Sequence, residues 1–314
     1  MSPAPQPAAS ASWPLCDAVA TAELLPFPDL VRAVEQAALE YDRGLIASPE
    51  RMALRCGPGG TMLSMPAAAA DVAIHKLVNV QPANAQRDLP TIHGLVSVFD
   101  AATGRPLCML DGPEVTGRRT AAVSLLAIRL LADRSPRRVL LYGTGVQARH
   151  HLRALAALHP GCTVWVKGRN PGATADFCRR ARSIHADVQP CDDGLPDELD
   201  VVITLTTSTE PVYDEVAVPG RLVIGVGAFR PDMAELGART IAGSECYADD
   251  PPGARHEAGD LLRAGVDWST VGSLASLIRR GPRRARPTLF KSVGTAAWDL
   301  AAARVALARL GRCG

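Results

Sequence analysis

The segment that most constrains this chain is Arg138-Val-Leu-Leu-Tyr142 followed by Gly143-Thr-Gly145-Val-Gln-Ala148. A short apolar run leads into two glycines in the spacing GxGxxA, and a helical stretch over 146–158 follows. Gly143 permits a tight turn, and Gly145 lets backbone N–H groups approach a pyrophosphate. The small Ala148 lets the helix pack closely on the strand, with its positive end toward the phosphates. Glycine-rich turns are common, so the flanking strand and helix carry as much of the inference as the glycines. Together they predict a dinucleotide-binding βαβ unit.

The rest of the second half repeats that texture. Apolar runs Val139–Tyr142, Thr163–Val166, Val201–Leu205, Leu222–Val226 and Cys246–Ala248 alternate with helices near 146–158, 172–184 and 253–264. Alternation on this scale implies an α/β fold of Rossmann type, with a doubly wound parallel sheet. A helix over Thr120–Arg134, stopped at Ser135-Pro136, feeds it. An NAD enzyme carries a carboxylate at the end of the second strand to read the ribose hydroxyl. Here that place reads Lys167-Gly168-Arg169-Asn170. Arg169 suits a 2′-phosphate, so NADPH is the expected cofactor, with NADH used at lower efficiency. An ordinary surface arginine is the plainer alternative.

The first half differs. After a helix over Phe27–Arg43, short runs at Met52–Arg55, Thr61–Met65, Ala73–Val80, Leu95–Phe99 and Pro106–Leu110 are separated by Gly, Pro, Asn and Asp. These are antiparallel strand signals, and Thr103-Gly104 reads as a hairpin turn. The expected division is a disordered tail over 1–12, a smaller α+β domain over 13–118 and the nucleotide domain over 119–294. A last helix, within 295–314, has no strand after it and is expected to return to the first domain.

Composition narrows the function. Charges nearly cancel, with 34 basic and 32 acidic residues, so no strong field exists for nucleic acid. The run Arg279, Arg280, Arg283, Arg284, Arg286 reads as a solvated loop. Eight cysteines include no CxxC pair and fit neither a zinc site nor a disulfide framework; reduced thiols in the cytoplasm are expected. No apolar run is long enough for a membrane span, and the Pro/Ala-rich start is a poor signal peptide. His150 and His151 are adjacent on a helix and point apart, so no metal is expected.

Three cations stand out in apolar settings. Strand alternation puts Lys76 on one face with Ile74, Val78 and Val80, and a buried lysine is costly unless it meets an anion. Arg119 directly precedes Thr120 at the start of the feeding helix, and Arg51 heads a strand after Ser48-Pro49-Glu50. Singly each is more often structural; together they form a candidate site for a small carboxylate.

The chain resembles the ornithine cyclodeaminase/μ-crystallin family. The resemblance lies in Met65-Pro66, Lys76-Leu-Val-Asn79 with Asn84, Leu89-Pro-Thr91 and Thr103-Gly104. It continues through Arg119-Thr-Ala-Ala122, Gly143-Thr-Gly-Val-Gln147, Glu257-Ala-Gly-Asp260 and Ser292-Val-Gly294. These segments keep family order from about residue 25 to 310. The resemblance implies a homodimer formed through the sheet of the smaller domain. It implies that Arg51, Lys76 and Arg119 hold a substrate carboxylate. It assigns cofactor contacts to Thr91, Thr120, Val146, Gln147, Val226 and Ser292, beside Gly143, Gly145, Arg169 and Asn170.

One departure separates branches of the family. Cyclodeaminases carry a catalytic aspartate two residues past a Val-Gly, and Phe229 stands there in Val226-Gly227-Ala228-Phe229. Phenylalanine neither takes nor gives a proton, so net cyclodeamination of ornithine is not expected. The stretches 227–236 and Lys291-Ser-Val-Gly294 look most like reductases of cyclic ketimine carboxylates, which turn Δ1-pyrroline-2-carboxylate into proline and Δ1-piperideine-2-carboxylate into pipecolate. There Lys76 would orient the imine or relay its proton. The alternatives are an alanine-dehydrogenase-like enzyme, a cyclodeaminase, and a non-catalytic small-ligand-binding protein.

Overall fold

The computed structural model describes residues 13–191, 194–283 and 285–311; the tail expected over 1–12 lies outside them. Helices α1 (Ala18–Leu24) and α2 (Phe27–Asp42) precede five strands. These are β1 (Met52–Cys56), β2 (Gly60–Ala68), β3 (Val72–Val80), β4 (Ile92–Asp100) and β5 (Pro106–Asp111). They form an antiparallel meander in the order β1-β2-β3-β4-β5. Alternation in β3 buries Val72, Ile74, Lys76 and Val78 on one face, while Val80, expected with them, is only half-buried at the strand end. The other face carries Met52, Leu54 and Leu95, all exposed.

Helix α3 (Gly112–Leu131) leads from β5 to the second sheet. It starts eight residues earlier than its apolar spacing indicates. Asp111 caps it by accepting from Glu114 N at 2.7 Å, and Pro113 occupies the first turn, so a motif that reads as a loop is a helix start. Arg119 and Thr120 therefore lie inside the helix rather than at its head.

Eight parallel strands follow. In chain order these elements are β6 (Arg138–Tyr142), α4 (Val146–Leu158), β7 (Thr163–Lys167), α5 (Pro171–Ala181), β8 (Val188–Pro190) and β9 (Val201–Thr204). Next come β10 (Leu222–Gly225), α6 (Ala238–Ala242), β11 (Glu245–Ala248), α7 (Pro251–Glu257), α8 (Gly259–Arg263), β12 (Gly272–Ser273) and α9 (Leu274–Arg280). The chain closes with β13 (Thr288–Lys291) and α10 (Ala296–Arg309). The order is β12-β11-β13-β10-β9-β6-β7-β8, so the winding reverses between β6 and β9. Ligands of doubly wound sheets bind at the carboxyl edge of such a switch point.

Three expectations change here. The helix expected over 253–264 is broken, because the backbone at Gly259 lies against carbonyls of the 230–233 loop; a Cβ there would stand 2.2 Å from Met233 O. Strand β13 is new, inserted between β10 and β11. It is short and follows the basic run, which masks its two apolar residues. That run is not one solvated loop: Arg279 lies in α9 and pairs with Asp42, and Arg283 stacks on Tyr247.

Helix α10 packs against α2 and lies over β2 and β3, so it sits on the first sheet. Among the described residues no helix is long and apolar enough to cross a membrane.

Candidate functional site

The glycine loop is built as its spacing requires. Gly143 has φ +116, and a Cβ on it would lie 2.8 Å from Leu205 O, so only glycine fits. Gly145 is different: a Cβ there would meet nothing within 4 Å. Its backbone borders open space where a pyrophosphate would come close. Gly145 caps α4 without a side chain, leaving the first-turn N–H groups free for an anion. Val146 is exposed beside it, and Gln147 has a buried Oε1 with no hydrogen-bond partner. The neighbouring loop comes near, since a Cβ on Gly168 would stand 3.0 Å from Thr144 Cγ2. Arg169 on that loop is exposed and makes no hydrogen bond or ion pair to another described residue. Asn170 uses its Oδ1 to cap α5 through Ala173 N at 3.0 Å. These residues fit a dinucleotide, and the uncommitted Arg169 guanidinium fits a 2′-phosphate.

Lys76 and Arg119 converge from β3 and α3 on one carboxylate that sequence reasoning missed. Asp299 of α10 accepts from Lys76 Nζ at 2.5 Å through Oδ2 and from Arg119 Nε at 3.2 Å through Oδ1. Lys76 is 2% exposed, Asp299 fully buried and Arg119 7% exposed, so the anion a buried lysine requires belongs to the protein itself. Burial is the largest influence on the Lys76 ammonium. Asp299 opposes it, Arg119 and Arg51 reinforce it, and the pKa falls to about 8. The signal for Asp299 was available: a lone carboxylate in the alanine-rich run 296–309 is as anomalous as Lys76 in its strand.

Arg51 reaches the same region from the start of β1. Its Nη2 contacts Glu257 at 2.7 Å, Gly294 O at 2.9 Å and Val293 O at 3.2 Å. Gly294 has φ +79, and the Arg119 guanidinium lies against it, with Nη1 2.6 Å from where a Cβ would be. Arg51 and Arg119 thus meet the same glycine. Burial, with Asp249 and Asp250 nearby, pushes the Glu257 carboxyl up to about 7 although Arg51 opposes it. Burial, then Asp249, raises Asp250 to about 6.

The loop after β13 is held by Asp249 at the end of β11. Its carboxylate accepts from Ser292 Oγ at 2.9 Å, from Val293 N and Gly294 N at 3.0 Å, and from Trp298 Nε1 at 3.2 Å. Ser292 N donates to Gly225 O at 2.9 Å, which sets Ser292 beside Val226 at the end of β10. Thr120 is buried in α3 next to Arg119. Thr91 is exposed before β4, and no side-chain hydrogen bond ties it to the other candidate residues.

After Val226 the chain turns at Gly227, whose N–H and that of Ala228 both donate to Glu235. Phe229 follows, half-buried. Asp232, the next carboxylate along, is exposed and engaged with Arg230 at 2.9 and 3.0 Å. It does not stand in for an acid at position 229.

Residues 15–311 match the model of the ornithine cyclodeaminase/mu-crystallin family. The chain belongs to that family. Among its relatives is a Δ1-pyrroline-2-carboxylate reductase 2 from Burkholderia ambifaria, 53% identical over 294 residues, covering 93% of this chain and 94% of the relative. A Δ1-pyrroline-2-carboxylate/Δ1-piperideine-2-carboxylate reductase from Azospirillum brasilense is 52% identical with the same coverage. Among solved structures, the Δ1-pyrroline-2-carboxylate reductase of Thermococcus litoralis, in complex with NADH and L-proline, superposes with a TM-score of 0.85. It is 26% identical and covers 95% of this chain and 98% of its own.

Proposed function

We propose that this nicotinamide-dependent oxidoreductase of C=N groups reduces Δ1-pyrroline-2-carboxylate to proline and Δ1-piperideine-2-carboxylate to pipecolate, preferring NADPH to NADH. The observation that carries the reading is the convergence of Lys76, Arg119 and Arg51 around Asp299 and Gly294. This basic group adjoins the loop after β13, which reaches β10 through Ser292. The names of the relatives and the proline bound by the Thermococcus litoralis enzyme support the same chemistry.

Reduction adds one proton to nitrogen and one hydride to C2 of the imine. When bound, the reduced nicotinamide supplies the hydride. Arg119 offers its terminal nitrogens to the substrate carboxylate, and Arg51 lies beside it. Lys76 is the proton-bearing group, with an ammonium whose pKa near 8 lets it yield a proton close to neutrality. Holding the imine in one orientation against the nicotinamide provides most of the acceleration. Gly143, Gly145, Val146 and Gln147 would hold the pyrophosphate side of the cofactor, with Arg169 and Asn170 at its ribose. Thr91, Thr120, Val226 and Ser292 complete the cofactor contacts in this reading. No ionisable side chain stands at Phe229 to help expel ammonia from ornithine.

In the same reading residues 13–118 with the last helix form the substrate unit, and 119–294 bind the cofactor. A second copy of the chain covers the exposed sheet face around Met52, Leu54 and Leu95. The test is loss of nicotinamide absorbance when each cyclic ketimine is mixed with NADPH and the purified chain.

A further inference from the structure

We propose that Asp299 is a positioning residue: its carboxylate keeps Lys76 as the proton-bearing group and turns the terminal nitrogens of Arg119 toward the substrate carboxylate. The proposal rests on the site reading above, but half of its test does not depend on turnover.

The two oxygens of Asp299 are divided between the two cations, Oδ2 to Lys76 Nζ and Oδ1 to Arg119 Nε. Using Nε leaves Nη1 and Nη2 without hydrogen bonds to described residues, lying against Gly294. An arginine held by Nε alone keeps a two-pronged edge for an incoming carboxylate. If Asp299 instead faced that edge, the substrate would have to displace it.

Only three of the 34 basic residues are lysines: Lys76, Lys167 and Lys291. Arginine remains charged in proteins, whereas a buried lysine can release its proton. A chain that uses arginine almost everywhere else places one of its three lysines, Lys76, beside the two arginines of the proposed substrate site. The charged groups facing Lys76 are Asp299 from α10, Arg119 from α3 and Arg51 from the segment before β1. Its neighbours on β2 and β4, Met65 and Val96, bring no charge. Among the described residues Asp299 is thus the single anion facing Lys76, against burial and two arginines.

Asp299 sits in the first turn of α10, fully buried, five residues past the glycine that the Arg119 guanidinium touches. The helix that closes the first sheet therefore fixes both cations from one point.

With so few lysines, selective ¹³C labelling at the lysine ε-carbon gives three signals, assignable by Lys167→Arg and Lys291→Arg. In Asp299→Asn, the Lys76 titration should move down by about one to three pH units, the effect of losing an adjacent opposite charge. The KM for the cyclic ketimine should rise about tenfold or more, as a charge-assisted contact is lost. The kcat below the new titration point should change far less. Asp299→Glu retains the charge and should return the titration toward its original position. Unchanged Lys76 titration in Asp299→Asn, or a uniform loss of kcat at every pH with KM unaltered, overturns the proposal. Should Asp299→Asn not fold, Asp299→Glu decides: a retained titration with raised KM supports the proposal, and an unraised KM overturns it. If the titration shifts as expected but the unaltered chain reduces no cyclic ketimine, the proposed substrate is wrong and the positioning of Lys76 stands.

Discussion

Lys76 Nζ lies 2.5 Å from Asp299 Oδ2 across 223 positions of sequence, with both side chains buried. The contact joins β3 to α10, so it is both a structural tie and a control on a titratable group. Breaking such a pair by removing one partner costs about 3–5 kcal/mol in comparable buried sites.

Activity in the reductive direction should need the Lys76 ammonium. Its pKa is lowered to about 8, so the charged form is present below that pH and is lost as pH rises through it. The rate of ketimine reduction should therefore fall on the alkaline side near pH 8. Lys76→Arg, which cannot release its proton, should keep the fold, lose most activity and show no such limb. A Lys76→Arg variant with normal rate and an unchanged pH profile contradicts the assignment.

Arg119→Lys keeps a positive charge but loses the planar fork. It should weaken kcat/KM by about ten- to a hundredfold, matching a charge-assisted hydrogen bond of about 1.5–3 kcal/mol. Steady-state kinetics, with circular dichroism to verify folding, would measure this. Full activity in a folded variant would make Arg119 structural only.

The two loop glycines should fail differently. Gly143→Ala forces a side chain into a φ of +116 with Leu205 O at 2.8 Å, and should cost about 1–3 kcal/mol of stability. Gly145→Ala meets open space and should leave stability unchanged while weakening cofactor binding. Thermal melts beside nicotinamide fluorescence titrations separate the two. Equal loss of stability in both would mean that the loop is not shaped for a phosphate.

Arg169 should set cofactor choice. Its exposed, uncommitted guanidinium would contribute about 1.5–3 kcal/mol to binding a 2′-phosphate, or roughly ten- to a hundredfold. Arg169→Ala should raise KM for NADPH by that factor and barely alter KM for NADH. Equal use of both cofactors before substitution would remove Arg169 from the site.

Much of this arrangement was legible in the chain. GxGxxA between an apolar run and a helix marked the nucleotide loop, and period-two alternation put Lys76 on the buried face, because both are local patterns. Asp299 was visible only as a lone carboxylate in the alanine-rich run 296–309; its pairing was not legible, since it meets Lys76 and Arg119 only after α10 returns to the first sheet. The early start of α3 was hidden by Asp111-Gly112-Pro113, which reads equally as a turn or as a helix cap. Strand β13 carries only Leu289 and Phe290 as its apolar core, too short a pattern to stand out after five arginines. The break between α7 and α8 arises from contact with the 230–233 loop, which no local periodicity encodes.

Phe229 stands in the loop after β10, Asp232 is tied to Arg230 at the surface, and Lys76, Arg119 and Arg51 remain grouped around Asp299 and Gly294. Purified chain should be mixed with NADPH and each of Δ1-pyrroline-2-carboxylate and Δ1-piperideine-2-carboxylate while the nicotinamide absorbance is followed, with ornithine and an ammonia assay in parallel. Absorbance should fall with the ketimines and ornithine should release no ammonia; stable absorbance with both ketimines, alongside ammonia from ornithine, would rule out ketimine reduction as the reaction.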